Sequence, residues 1–168
     1  MKQHLELLAA YHRWTFEVLY EALLPLDDVR YRADLGLFFR SIHRTLNHLL
    51  LADKVWFGRV ADSPFAVSGL DAELVTDRVE LEQALYNHSA RWQTWIAAQS
   101  DTQLAASIHY TNMSGTAFEQ ECAALLLHVF NHASHHRGQI SAAMTACGLA
   151  SPEMDLIGYL RRAPLTLS

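Results

Sequence analysis

At 168 residues, with half of them hydrophobic and 18% charged, the chain is long enough for one well-filled core and too apolar for disorder. Its formal charge of −5, with histidine neutral, and the absence of any basic stripe argue against nucleic acid as a partner. No apolar run approaches the roughly 20 residues of a membrane span, and the N-terminal Met1-Lys-Gln-His-Leu-Glu lacks the apolar core and cleavage site of an export signal. Neither export nor membrane insertion is expected.

From Lys2 to about Leu24, Leu7, Leu8, Tyr11, Trp14, Val18, Leu19 and Ala22 fall on one broad face, which predicts an amphipathic helix. Pro25, Asp27 and Asp28 interrupt it. The next periodic stretch starts near Asp34, an expected N-cap, and runs to about Val60. Its expected buried stripe is Leu35, Phe38, Ile42, Leu46, Leu49 and Trp56, with His43, Asn47, Leu50 and Lys54 opposite. His48 lies between the two faces, beside the small side chains Ser41, Thr45 and Ala52. A histidine at such a margin is more often structural than functional.

Residues 61–70, with Pro64 and Gly69 as breakers, form the longest expected connection, one that crosses the bundle. A third helix is expected from about Asp71 to Gln99, with Leu74, Leu81, Leu85, Trp92 and Ile96 buried, early charges such as Glu73 exposed, and His88 as a packing residue. Between Ser100 and Thr116 the helical period fails. Ser107 to Thr116 reads as an extended or hairpin-like loop turning at Asn112 to Gly115, with no role for His109.

The late helix, from about Ala117 to Cys147 and stopped by Gly148, carries four of the ten histidines within nine residues. Leu125, Val129, Ile140, Ala143 and Cys147 form its apolar stripe, His132 and His136 lie inside that stripe, and His128 and His135 sit on its margin. A pair at i, i+4 can present two imidazoles to one ion. The bland reading is a hydrogen-bonded or partly exposed pair. Two imidazoles in places where a bundle helix normally buries leucine would cost about 1–3 kcal/mol each if unpaired, and coordination removes that cost. Asn131 and Gln139 are placed to hold an imidazole's second nitrogen or orient a ligand, Gln139 being nearer the face of His132. Opposite the histidines, Ser134, Gly138, Ser141 and Thr145 form a small-residue row suited to close approach by another helix. Met154 to Arg161 reads as a short amphipathic segment that caps one end and is closed by Pro164.

Four long helices and one long crossover predict an all-α chain: a single domain over residues 1–168 built as an antiparallel four-helix bundle with a short C-terminal helix. Imidazoles, rather than the carboxylate sets of di-iron bundles, point to one ion with nitrogen ligands. Cys122 and Cys147, too distant along one helix to bridge, fit free thiols in a reducing compartment, with the cytoplasm as the expected location.

Two stretches together resemble the DinB family: Phe39-Arg-Ser-Ile-His-Arg-Thr-Leu-Asn-His-Leu-Leu-Leu-Ala-Asp-Lys-Val-Trp-Phe-Gly-Arg59 and His128-Val-Phe-Asn-His-Ala-Ser-His-His-Arg-Gly-Gln139. Tyr11 to Trp14, the loop from Tyr110 to Gly115 and Asp155 to Leu160 extend the likeness over nearly the whole chain. The resemblance implies a divalent metal held by His48 from the second helix and by His132 and His136 from the fourth. His12 and Phe16 stand where related chains often have asparagine. Zinc or nickel is the expected ion, ahead of iron or manganese. A site of three neutral imidazoles keeps an open coordination position and the ion's full charge, which suits thiol-dependent transfer, with a low-molecular-weight thiol as co-substrate, or hydrolysis of a small molecule. His128 and His135 are further candidates as acid, base or substrate contacts. The resemblance also implies a homodimer. The competing reading is a non-catalytic, metal-containing module that binds a small ligand or serves a stress response.

Overall fold

The computed structural model describes residues 1–162; Pro164, expected to close the C-terminal segment, lies outside the described residues. The elements are helices α1 (Lys2–Leu23), α2 (Asp28–Arg32), α3 (Ile42–Val60), α4 (Arg78–Ala98) and α5 (Asp101–Leu104), strands β1 (Ser107–Thr111) and β2 (Ala117–Glu121), and helices α6 (Cys122–Ala146) and α7 (Leu156–Arg162). The architecture is mostly helical. The all-α expectation is corrected by an antiparallel hairpin in which Ser107 pairs with Glu121 and Thr111 with Ala117. Its turn falls on the expected residues: Asn112 Oδ1 accepts from Ser114 N and Thr116 N, and Gly115 adopts φ 82°. The late helix therefore begins at Cys122, five residues later than Ala117. It ends as expected, with Gly148 at φ 82°, its N–H bonded to Thr145 O and that of Leu149 to Met144 O.

Long helices α1, α3, α4 and α6 pack in a ring, α1 and α3 each touching both α4 and α6. Contacts fix their directions. Lys2 Nζ reaches the carbonyls of Ala97 and Gln99 while Arg78 reaches those of Leu23 and Leu26, so α1 and α4 are antiparallel. Trp56 meets His128 and His48 meets His136, so α3 and α6 are antiparallel too. The long connection lets α3 and α4 run the same way, with Asn47 beside Val75 and Phe57 against Trp92.

Several local expectations change. Residues 33–41 form a tight turn rather than helix, with Gly36 and Arg40 at positive φ, and α3 starts at Ile42, where Ser41 Oγ accepts from Arg44 N. Phe38 is thereby turned outward and Phe39 inward. The supposed outer face of α3 is covered, because His43, Asn47 and Leu50 are all buried. Residues 71–77 belong to the connection, and α4 starts after the Asp77 N-cap. On α1 the buried line is Leu5, Ala9, His12, Phe16, Leu19 and Leu23, rotated from the expected stripe. Trp14 is instead covered by α7, whose Tyr159 lies 5.3 Å from it, so the C-terminal segment packs along the side of α1 and does not cap an end. No helix among the described residues is long and apolar enough to cross a membrane.

Candidate metal centre

His48 on α3 and His132 and His136 on α6 converge, with one ligand atom from each lying within 4.8 Å of the others. The His132 and His136 Nε2 atoms are 3.1 Å apart, and those of His48 and His132 are 3.4 Å apart. The i, i+4 spacing on α6 brings the first pair together, and the packing of α3 on α6 adds the third.

The outer nitrogens fix what the inner ones can do. His48 Nδ1 donates to the carbonyl of Leu70 at 2.8 Å, and His136 Nδ1 donates to Gln139 Oε1 at 2.7 Å. In the neutral rings, both Nε2 atoms are then lone pairs aimed inward. His132 Nε2 can carry one proton and give it to one neighbour, so at least one inward lone pair is left without a donor. A cation satisfies all three. At nitrogen–metal distances of about 2.0–2.1 Å, tetrahedral ligands sit roughly 3.3 Å apart and adjacent octahedral ones about 2.9 Å apart, close to the separations of 3.1 and 3.4 Å. The residues present therefore fit a divalent ion.

Electrostatics favour the same state. Burial, then the charges that His136, His48 and His128 would carry, pushes the His132 pKa down to about 3. Burial, reinforced by His48 and His135, pushes His136 to about 4 despite its bond to Gln139. His48 is lowered by burial against the opposing bond to Leu70. All three rings are consequently neutral near pH 7 and need lose no proton to bind a metal.

Phe39 closes one side, stacked on His48 at 3.9 Å between centroids and tilted against His136 at 5.6 Å. The other side is wetter, since His132 is half-buried and His128 exposed. His128 lies 5.6 Å from the His132 ring and edge-on to Trp56 at 5.0 Å. Gln139 reaches both neighbours, its Nε2 donating to exposed His135 at 3.2 Å. Asn131 is exposed and away from this network.

With this geometry in hand, comparison with known proteins decides the lineage: the model described as DinB family matches residues 1–166. The chain belongs to the DinB family. It is similar to Protein DinB of Bacillus subtilis (strain 168), 26% identical over 159 residues that cover 91% of each chain.

Three structural supports of this DinB-family site were not visible in the sequence reading. The Leu70 carbonyl comes from the long connection, which Asn47 pins to α3: Asn47 Oδ1 accepts from Leu74 N and Val75 N, and its Nδ2 donates to Val75 O. The turn that brings in Phe39 is the second. The third lies behind the histidines, where Arg137, His12 and Asp53 are all buried. Arg137 Nη1 donates to His12 Nδ1 at 3.2 Å and His12 Nε2 donates to Asp53 Oδ2 at 3.0 Å, so a neutral imidazole bridges a cation and an anion. His12 thus has a polar role in the core. The sequence signal for it was Asp53, a charge whose neighbours at helical spacing, Leu49, Leu50, Trp56 and Phe57, are apolar.

Proposed function

We propose that the chain is a metal-dependent enzyme in which His48, His132 and His136 hold one divalent cation and a small molecule reacts at the coordination position they leave open. The convergence of three Nε2 atoms, with the outer nitrogens of His48 and His136 already committed to Leu70 and Gln139, carries this reading. Family membership supports it. Three imidazoles suit zinc or nickel best, with iron or manganese as further ions. When bound, such a cation supplies Lewis acidity, favouring the thiolate of a low-molecular-weight thiol or polarising a substrate oxygen.

The protein's own part is orientation and exclusion of water. Leu70 and Gln139 hold two imidazoles in register, and Phe39 seals the inner side. His128, its pKa lowered by partial loss of hydration and by the nearby Arg59, is available at the wet side to accept a proton from an incoming ligand. Thiol-dependent transfer and hydrolysis both use this arrangement. His135 and Gln139 act through His136, and Asn131 is the weakest contributor.

The scaffold we infer is a single-domain four-helix bundle made of two antiparallel pairs. A homodimer and a cytoplasmic location belong to the same reading: the exposed row Ser134, Gly138 and Thr145 offers a face for a second copy, and Cys122 and Cys147 are free thiols, as a reducing compartment allows.

Elemental analysis of protein purified without an affinity tag tests the site. One divalent ion per chain is expected, with most of it lost in His48→Ala and in His132→Ala; undiminished stoichiometry in both removes the proposed ligands. Metal-loaded protein is then assayed with a panel of thiols and small electrophiles. Full loading with persistent inactivity would favour the non-catalytic ligand-binding module.

A further inference from the structure

The metal reading leaves unanswered what selects the small molecule, and the most unusual cation near the site bears on that. Arg59 lies on α3 at 7 + 4 residues beyond His48, a separation that returns a helix to the same face, and Val55 falls on that line between them. Its guanidinium lies against two aromatic rings on adjacent sides, 4.3 Å from the Trp56 ring centre and 4.6 Å from that of Tyr110, the rings themselves being edge-on to one another at 5.3 Å. Among the described residues no carboxylate lies within ion-pair distance of it. Its hydrogen bond is to a neutral acceptor, Thr111 O, at 3.3 Å. Burial depresses its pKa, a sign that water has been removed from the cation without a counter-charge replacing it.

Space for a ligand adjoins it. A cavity of about 370 Å³ is walled by Arg59, Tyr110 and the connection at Phe65 and Val67. A second, of about 410 Å³, shares Tyr110 and extends along Trp56 to His128. His128 in turn abuts His132 at 5.6 Å. The wall is firmly set. A Cβ on Gly58 would come within 2.5 Å of Ser63 O, so the connection lies directly on the α3 backbone there, and the same connection supplies the Leu70 carbonyl that holds His48. Asp62 and Glu121 also line these cavities, one in each, and neither pairs with Arg59.

We infer that Arg59, held against Trp56 and Tyr110, is an anion-binding subsite for the substrate, so that the ligand is an elongated small molecule with a carboxylate or phosphate at one end and a metal-binding donor at the other. The inference rests on the proposed metal site and adds a substrate class to it. With a helical rise of 1.5 Å per residue and a guanidinium that leans back over Trp56, the two ends are separated by roughly 10–12 Å. The two rings cover adjacent sides of the guanidinium and Thr111 O takes one proton of Nη2, which leaves the remaining N–H donors to receive an anion.

The test has two arms. In metal-free protein, octanoate or octyl phosphate is expected to shift the Arg59 Nε–H resonance, assigned by its loss in Arg59→Gln, whereas octanol is not; the stronger of the two anions identifies the group preferred. No shift with either overturns the subsite. In the second arm, cobalt-loaded protein is titrated with ω-mercaptoalkanoic acids of increasing length and with the matching mercaptoalkanols, read by the thiolate-to-cobalt absorption. The best-fitting acid is expected to bind about tenfold more tightly than its alcohol, and the ratio to fall to about twofold or less in Arg59→Gln and to recover in part in Arg59→Lys. A preference that survives Arg59→Gln places the anion elsewhere and overturns the inference. An anion-induced shift without any tenfold preference overturns the bridging of the two ends. Failure of the protein to take up cobalt at all strikes the metal reading instead, while the first arm still decides the subsite.

Discussion

The backbone carbonyl of Leu70 accepts the Nδ1 proton of His48 at 2.8 Å, so a residue of the long connection sets the tautomer of a histidine on α3. That carbonyl is in place because Asn47, the residue before His48, ties the connection down through three hydrogen bonds to Leu74 and Val75. Asn47→Ala is expected to cost about 2–3 kcal/mol of stability, near 1 kcal/mol for each bond lost. It should also weaken metal binding about 10- to 100-fold, the usual penalty for releasing a ligand's outer hydrogen bond. Chemical denaturation and competition with a chelator measure the two effects separately. A stability loss with unchanged metal affinity would mean that Leu70 does not orient His48.

Gln139→Ala tests the corresponding support on α6. Its Oε1 accepts from His136 Nδ1 at 2.7 Å, and its loss leaves that ring free to rotate. Metal affinity is expected to drop about 10- to 100-fold with little change in stability, because Gln139 is only half-buried. Gln139→Glu, which puts a carboxylate on the same nitrogen, should restore the affinity or exceed it. Equal affinities for all three proteins in a chelator titration would contradict the assignment.

The depressed histidine pKa values give the metal-free protein a pH dependence of definite sign. In the unfolded chain these imidazoles titrate near 6.5, whereas in the fold His132 stands at about 3 and His136 at about 4. Across that window the unfolded state binds more protons, so stability rises with pH, is complete above about 6.5 and is lost progressively on acidification. Urea midpoints of metal-free protein should therefore fall between pH 7 and pH 5. His132→Leu, which removes the most depressed ring, should flatten the curve; an equally steep curve in that variant would assign the dependence to other groups.

These dependences also mark what the sequence could and could not disclose. His132 and His136 were legible because i, i+4 spacing is a local property of one helix, and His48 because a motif carried it. Their supports were not, since Leu70 and Phe39 sit in irregular segments whose path is set by contacts far along the chain. The outer face assigned to α3 failed for the same reason: His43 and Asn47 look solvent-facing until residues 73–75 are laid over them and supply their partners. Strand β2 was hidden because every one of its residues is exposed, which leaves no buried face to read, and its extended path depends on pairing with β1.

The buried charges behind the site yield a stability test that spares the metal. Asp53 is the carboxylate bonded to His12, and His12 in turn accepts from Arg137. Asp53→Ala leaves the Arg137 cation in the core without its counter-charge, at an expected cost of about 3–5 kcal/mol. The three metal-facing histidines keep their own partners, so the folded fraction should still take up one ion per chain. Denaturation curves and elemental analysis of the same preparation check both statements, and a loss below about 1 kcal/mol would show that the charges are already solvated.

Gly138 separates a property of the chain from a property of its assembly. It interrupts α6 with φ in the helical range, and a Cβ built on it meets nothing within 4 Å, so no neighbouring helix of this chain needs the space. Within one copy, Gly138→Ala should then stabilise the protein by about 0.5–1 kcal/mol, the helix-propensity difference between the two residues. If the row Ser134, Gly138 and Thr145 is instead the close-packed face of a homodimer, the added methyl would obstruct it. Gly138→Ala would then weaken dimerisation, and the gain in stability would appear only at concentrations low enough for the parent to be monomeric. Sedimentation of both proteins across a dilution series, together with their thermal midpoints, distinguishes the two: a higher midpoint at every concentration with an unchanged association state removes this row from any interface.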